Sequence, residues 1–232
     1  MQTGYFFICD VLGFSRIVSN SDESELTARV QAWVDLSTEA AKRAGVDSVQ
    51  LISDTLFAST DSTAEGLQRL IAYAQSLLTD GAARSLPIRG AIAHGQFQWG
   101  LLTYGKAVVE AHHLEMSQEW VGVACQNELP HLASQWGVRA LVAYPVPLRS
   151  GMVRVYPVVA WDVPKFQDLA RQLCGGGLTL KGEILGWDWA RKLTNTAQFG
   201  HYLRLMERAK RPAQNFYGLL PSEALELELF GK

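Results

Sequence analysis

The tightest constraint on this 232-residue chain is the segment Gly4-Tyr5-Phe6-Phe7-Ile8-Cys9-Asp10-Val11. Apart from its single acid it is an almost continuous apolar run, rich in aromatics and too short for a helix bundle. It reads as a buried strand, so the chain must fold around it. Asp10 sits at the end of that strand, ahead of Leu12-Gly13-Phe14-Ser15. An ionised carboxylate there is costly unless it is paired or bound to a cation.

The rest of the chain has the apolar mass to cover such a strand. It is 48% hydrophobic and 19% charged, which excludes global disorder. Lys plus Arg is 21 against 23 Asp plus Glu, a net charge of −2. A protein that binds by broad neutralisation of nucleic-acid phosphates is usually strongly basic, so no nucleic-acid partner is expected. Three cysteines, Cys9, Cys125 and Cys174, with no C-x-x-C spacing, argue against a disulfide framework or a structural zinc. No secretory leader and no run of about 18 apolar residues is seen, so no membrane partner and a cytoplasmic location are expected.

The elements alternate. A helix capped by Asp22 or Ser24 and stopped by Gly45 would present Leu26, Val30, Trp33, Val34 and Ser37 on one face. The runs 49–52 and 55–58 hinge at Ser53-Asp54 as a tight hairpin. A helix over 62–79 carries Leu67, Leu70, Ile71, Ala74 and Leu77/Leu78 at helical spacing. A strand follows at 87–98, a helix at 105–119, and strands at 138–145 and 152–161. This order suits an α+β, ferredoxin-like domain, an antiparallel-containing sheet with helices on one face. It spans residues 1–164. After Pro164 the composition changes, through Gly175-Gly176-Gly177 and a Trp-rich stretch at 187–189, to a basic helix near 199–211. Residues 165–232 read as a helical C-terminal extension packed on the core.

Asp54, at a hairpin tip with apolar flanks, is the second acid of interest. If the first strand lies beside that hairpin, Asp10 and Asp54 meet at one end of the sheet. Two converging carboxylates suit Mg²⁺ or Mn²⁺, which typically take one or two acids plus substrate phosphates. The Gly13 turn would present backbone N–H groups to a phosphate. The plainer alternative is a turn-capping Asp10 and a hairpin Asp54 with no ligand. His112 and His113 are adjacent on a helix and do not share a face, which argues against a two-His metal site. The seven Trp read as packing, and the run 207–211 as a solvated helix end.

Four blocks, taken together, resemble the class III nucleotide cyclases. Phe7 to Ser15 is similar to the opening strand "FADIxGFS/T", and Val49 to Ala58 to the hairpin "vKtIGDavma". Leu86 to Gly95 resembles "lxvRvGIhtG", and Tyr104 to Glu115 resembles "xGdtVNlAaRLe". They occur in family order across about residues 4–160. The resemblance implies a homodimer with composite sites, and two divalent cations held by Asp10, Asp54 and the Val11 carbonyl. It further implies a nucleoside triphosphate held by the backbone of Leu12, Gly13, Phe14 and Ser15, with Arg89 a candidate for contact across the dimer; the commoner role of an arginine in a strand, an edge or surface ion pair, is slightly favoured over it. Helix 105–119, with Phe97 and Trp99, would offer the self-complementary surface.

Departures from the family refine this expectation. Purine cyclases read their base with Lys or Glu where this chain has Gln50, and Asp or Cys where it has Lys106. The family's transition-state Asn and Arg fall on Val109 and His113, and the glycine before Asp54 is Ser53. Two readings fit: a non-catalytic nucleotide-sensing domain on the cyclase fold, or a branch with another base. The short chain, both acids, the Ile88-Arg89-Gly90-Ala91-Ile92 block and the helical tail resemble the bacterial Pycsar pyrimidine cyclases of antiphage defence. That resemblance implies conversion of UTP, then CTP, to a cyclic monophosphate that a cyclic-nucleotide-responsive effector reads. Adenylate or guanylate cyclase activity is the alternative among catalysts.

Overall fold

Strand β1 (Gln2–Val11) runs inside an eight-stranded sheet, antiparallel to both neighbours, β3 (Thr55–Asp61) and β4 (Ile88–Gln98). The structure is a computed structural model that describes residues 1–129, 140–174, 179–180, 183–184 and 187–208. Its β1 explains the unbroken apolar run. Tyr5, Phe7, Cys9 and Val11 enter one core, while Phe6 and Ile8 enter a second core across the sheet. A strand covered on both faces has no polar side to show.

After β1 come α1 (Phe14–Asn20) and α2 (Glu23–Ala44), then the hairpin of β2 (Ser48–Ile52) and β3. Helix α3 (Ala64–Ala83) returns the chain to β4. The order β2-β3-β1-β4 is that of the ferredoxin-like unit, a split βαβ arrangement. Short β5 (Tyr104–Gly105) pairs with β4, and α4 (Lys106–Ser117) crosses over to β6 (Gly122–Cys125), parallel to β4. Strands β7 (Leu141–Pro147) and β8 (Val153–Val159) complete the sheet as β6-β8-β7. Beyond it lie α5 (Phe166–Cys174), the pair β9 (Thr179–Leu180) and β10 (Glu183–Ile184), and α6 (Trp187–Arg208). No described helix is long and apolar enough to cross a membrane.

The α+β layering is as expected, with three differences of detail. Helix α2 buries Trp33, Leu36, Ser37, Ala40 and Ala41, whereas Val30 and Val34 are 39% and 37% exposed. The buried stripe thus starts at Trp33 and runs to Ala41. Helix α4 lies on the face opposite α2 and α3, pressing Ala107 and Ala111 on Phe6, Ile8 and Phe97. Phe97 is therefore core, fully buried, and not part of a surface for a second copy. Four-residue β6 has no flanking turn signal in sequence, yet it is wholly buried.

Described residues of the C-terminal segment pack on this domain through α6. Thr196 Oγ1 accepts from the Val121 amide at 2.9 Å, and Asn195 Nδ2 donates to the Glu119 carbonyl at 2.8 Å. Phe199 stands edge-on to Trp120 and Tyr144, centroids 5.0 and 4.7 Å away. The expectations placed on Gly175-Gly176-Gly177 and on the chain beyond Arg208 lie outside the described residues.

Candidate active site

The sheet brings Asp10 and Asp54 to one end. Asp10 pairs in register with Thr55, the residue after Asp54, and the Val11 amide donates to the Asp54 carbonyl at 3.3 Å. Ser53, at the hairpin tip, has φ +61°, the left-handed region its glycine counterpart enters freely. Asp10 is only 24% exposed at its side chain. Burial pushes its carboxyl up to about 7; Arg89 pulls it down, while Glu115 and Asp54 push it further up.

On the other flank Asp10 faces Arg89 of β4, again in register. Arg89 is 1% exposed. Its Nη2 lies 2.9 Å from Asp10 Oδ2, its Nε donates to Glu115 Oε1 at 2.6 Å, and its Nη1 donates to the Gln118 carbonyl at 3.4 Å. Gln118 is itself locked: its Nε2 donates to the Gly90 and Leu114 carbonyls and its Oε1 accepts from Trp120 Nε1. Two carboxyls around one guanidinium leave one negative charge uncompensated when both are ionised. A shared proton or a cation must balance it. Asp10 Oδ1 is buried and accepts no hydrogen bond among the described residues. As a hard oxygen donor it has the chemistry that suits Mg²⁺ or Mn²⁺, and the Glu115 carboxyl also bears on Asp10.

Arg89 is thus placed differently from the expected cross-dimer contact. Its donors are turned into the protein toward Asp10 and Glu115. Glu115 was not singled out in sequence, although a signal existed: Ala107, Ala111 and Glu115 recur every four residues, an acid continuing the buried stripe of α4.

Beyond β1 the chain turns through Leu12 and Gly13. The Leu12 amide donates to the Pro87 carbonyl at 2.8 Å, and Gly13 has φ +81°. Val11 and Leu12 are buried, Phe14 packs against the core, and Ser15 is exposed. Gln50 is half-buried on β2, opposite Phe57 and on the strand that leads to Asp54. Lys106, Val109 and His113 share the open face of α4; the Lys106 side chain is 78% exposed and lies 3.5 Å from Glu110. No described contact joins these three to Asp10 within one copy of the chain. Among the described residues no cluster of three or more His, Cys, Asp or Glu has metal-binding geometry.

No protein-family pattern and no curated protein matches the chain in sequence. Solved structures do. The guanylate cyclase domain of RhGC from Catenaria anguillulae, solved with GTP, matches with TM-score 0.53 at 18% identity. The match covers 68% of this chain and 97% of that one. A non-canonical dimeric guanylyl cyclase domain of the RhoGC fusion protein from the aquatic fungus Blastocladiella emersonii matches with TM-score 0.55 at 19% identity, covering 68% and 96%. The adenylyl cyclase CyaB from P. aeruginosa matches with TM-score 0.50 at 18% identity, covering 68% and 94%. The chain therefore has the fold of the class III adenylyl and guanylyl cyclase domains.

Proposed function

We propose that the protein is a metal-dependent nucleotide cyclase that turns a pyrimidine nucleoside triphosphate, UTP before CTP, into its 3′,5′-cyclic monophosphate and pyrophosphate. The observation that carries this reading is Asp10 Oδ1, a buried carboxylate oxygen without a donor, next to a second acid at the same end of the sheet. Asp10, Asp54 and the Val11 carbonyl would hold two divalent cations. When bound, these supply activation of the ribose 3′-hydroxyl and neutralise charge on the departing pyrophosphate. The protein's own part is geometric. Arg89 and Glu115 fix the Asp10 rotamer, and the backbone of Leu12, Gly13, Phe14 and Ser15 would orient the triphosphate.

Lys106 and His113 would enter the site from a second copy, because α4 turns them outward. A homodimer is therefore part of the proposal. Gln50 offers a donor and an acceptor, so it matches the N3–H/O4 edge of uracil or the N3/amino edge of cytosine. Lys106 only donates and suits a carbonyl oxygen, which favours uracil and disfavours adenine. The cyclic product would act through a cyclic-nucleotide-responsive effector in antiphage defence, a role supported by the motif resemblance alone. One observation favours a non-catalytic nucleotide-sensing domain instead: Val109, where the family has its Asn, has no hydrogen-bonding group.

Incubation of the purified protein with each of the four ribonucleoside triphosphates and Mn²⁺, with mass spectrometry of the products, tests the reading. Cyclic UMP as main product, with the preference altered in Gln50→Ala or Lys106→Ala, is expected. ATP as best substrate overturns the base assignment; no cyclic product from any of the four overturns the cyclase itself.

A further inference from the structure

Helix α6 touches the candidate site at one residue and its supporting loop at another. At its first turn the indole of Trp189 lies over Gly13: a Cβ built on that glycine would come within 2.9 Å of Trp189 Cζ2. One turn later, Lys192 Nζ lies 2.6 Å from Oε1 of Glu119, which is 4% exposed. Glu119 follows Gln118, whose carbonyl accepts from Arg89, the partner of Asp10. Asn195 and Thr196 then fasten the helix to the backbone of Glu119 and Val121. The segment from Asp10 to Gly13 is thus contacted at its first residue by Arg89 and at its last by Trp189.

Gly13 needs such a hold. At φ +81° it has freedom that other residues lack, so nothing in its own covalent structure confines it. Its neighbour Leu12 is tied by one backbone hydrogen bond to Pro87. Trp189 supplies a large flat surface, itself packed against the main core, at the one residue with the widest conformational choice.

We infer that Trp189 is a positioning residue for nucleotide binding: α6 is a fixed wall of the site, and its indole holds the Gly13 turn in the shape that receives the substrate's phosphates. The inference rests on the cyclase reading for the identity of the substrate, and on the contact alone for the site of action. Trp189→Ala leaves the acid pair in place, so it raises KM for UTP by about tenfold or more and changes kcat by less than about threefold. Trp189→Phe restores KM to within about threefold. A wall with only a structural role behaves otherwise: loss of folded protein lowers apparent kcat and leaves KM unmoved.

A second measurement uses the intact protein and needs no turnover. With 5-fluorotryptophan incorporated, the ¹⁹F resonance of Trp189 is identified by its loss in Trp189→Phe. Tripolyphosphate with Mg²⁺ shifts that resonance and leaves those of the core residues Trp33 and Trp120 in place. An unmoved Trp189 signal, or Trp189→Ala with an unchanged KM, overturns the inference. A shifted Trp189 signal in a protein that cyclises no nucleotide sustains the inference while the cyclase reading falls.

Discussion

Replacing Asp10 with Asn is expected to make the protein more stable while abolishing its activity, and the size of the gain depends on pH. Burial holds the Asp10 carboxyl at about 7, against 3.8 when unfolded. Because the folded value is raised, the folded state keeps a proton that the unfolded state has released between those two values. Stability therefore falls as pH rises from about 4 to about 7, then levels off. At somewhat over 1 kcal/mol per pH unit, the ionised side chain costs the metal-free fold about 2 kcal/mol at pH 5 and about 4 kcal/mol at pH 8. Asn has the same shape and no charge; its oxygen can still accept from Arg89 and its amide can donate to Glu115. The advantage of Asp10→Asn should thus be about 2 kcal/mol larger at pH 8 than at pH 5. Urea unfolding of both proteins in EDTA at the two pH values measures it. Adding Mn²⁺ at pH 8 should then stabilise the wild type alone. An equal difference at both pH values, or a less stable Asp10→Asn at pH 8, refutes the argument that this carboxylate is held at an electrostatic cost.

Asp54→Ala should lower the rate of cyclic nucleotide formation by about 10³-fold or more, since half of the acid pair is gone; turnover within a few-fold of wild type contradicts the two-acid site. Ser53→Gly should raise stability by about 1 kcal/mol, because a serine at φ +61° sits where only glycine is unstrained; an unchanged urea midpoint means the turn has relaxed around the hydroxyl side chain. Specific activity should fall on dilution through the dimer dissociation range, tracked by light scattering, because Lys106 and His113 face away from Asp10 within one copy. Full activity from a monomer contradicts the composite site.

What sequence could show follows from where the determinants lie. β1 was legible because both its faces are buried, leaving eight residues with one acid and no polar period. The Ser53-Asp54 hairpin was legible because two β-prone runs flank it directly. Helix α3 was legible throughout: Leu67, Leu70, Ile71, Ala74, Leu77 and Leu78 are all buried. The stripe of α2 holds at Trp33 and Ser37 and fails at Val30 and Val34, because amphipathic spacing does not reveal which turns of a helix are covered. Arg89 shows the same limit at the site. Its residue type suits a phosphate contact, but its surroundings depend on Glu115 and Gln118, 26 and 29 residues away. Trp189 lies farther still along the chain from Gly13, and no local pattern announces that meeting.

The central position of β1 also governs how the chain acquires its structure. Both of its partners come later, and the second, β4, ends only at Gln98. During synthesis at about 5–20 residues per second, the run from Tyr5 to Cys9 waits roughly 5–20 s for that partner to leave the ribosome. Throughout that interval it is a short, apolar, β-prone segment without proline, the composition that pairs readily with other chains. Early helices such as α2 form from local contacts but leave this segment uncovered, so the interval before β4 emerges is when it is open to pairing with other chains.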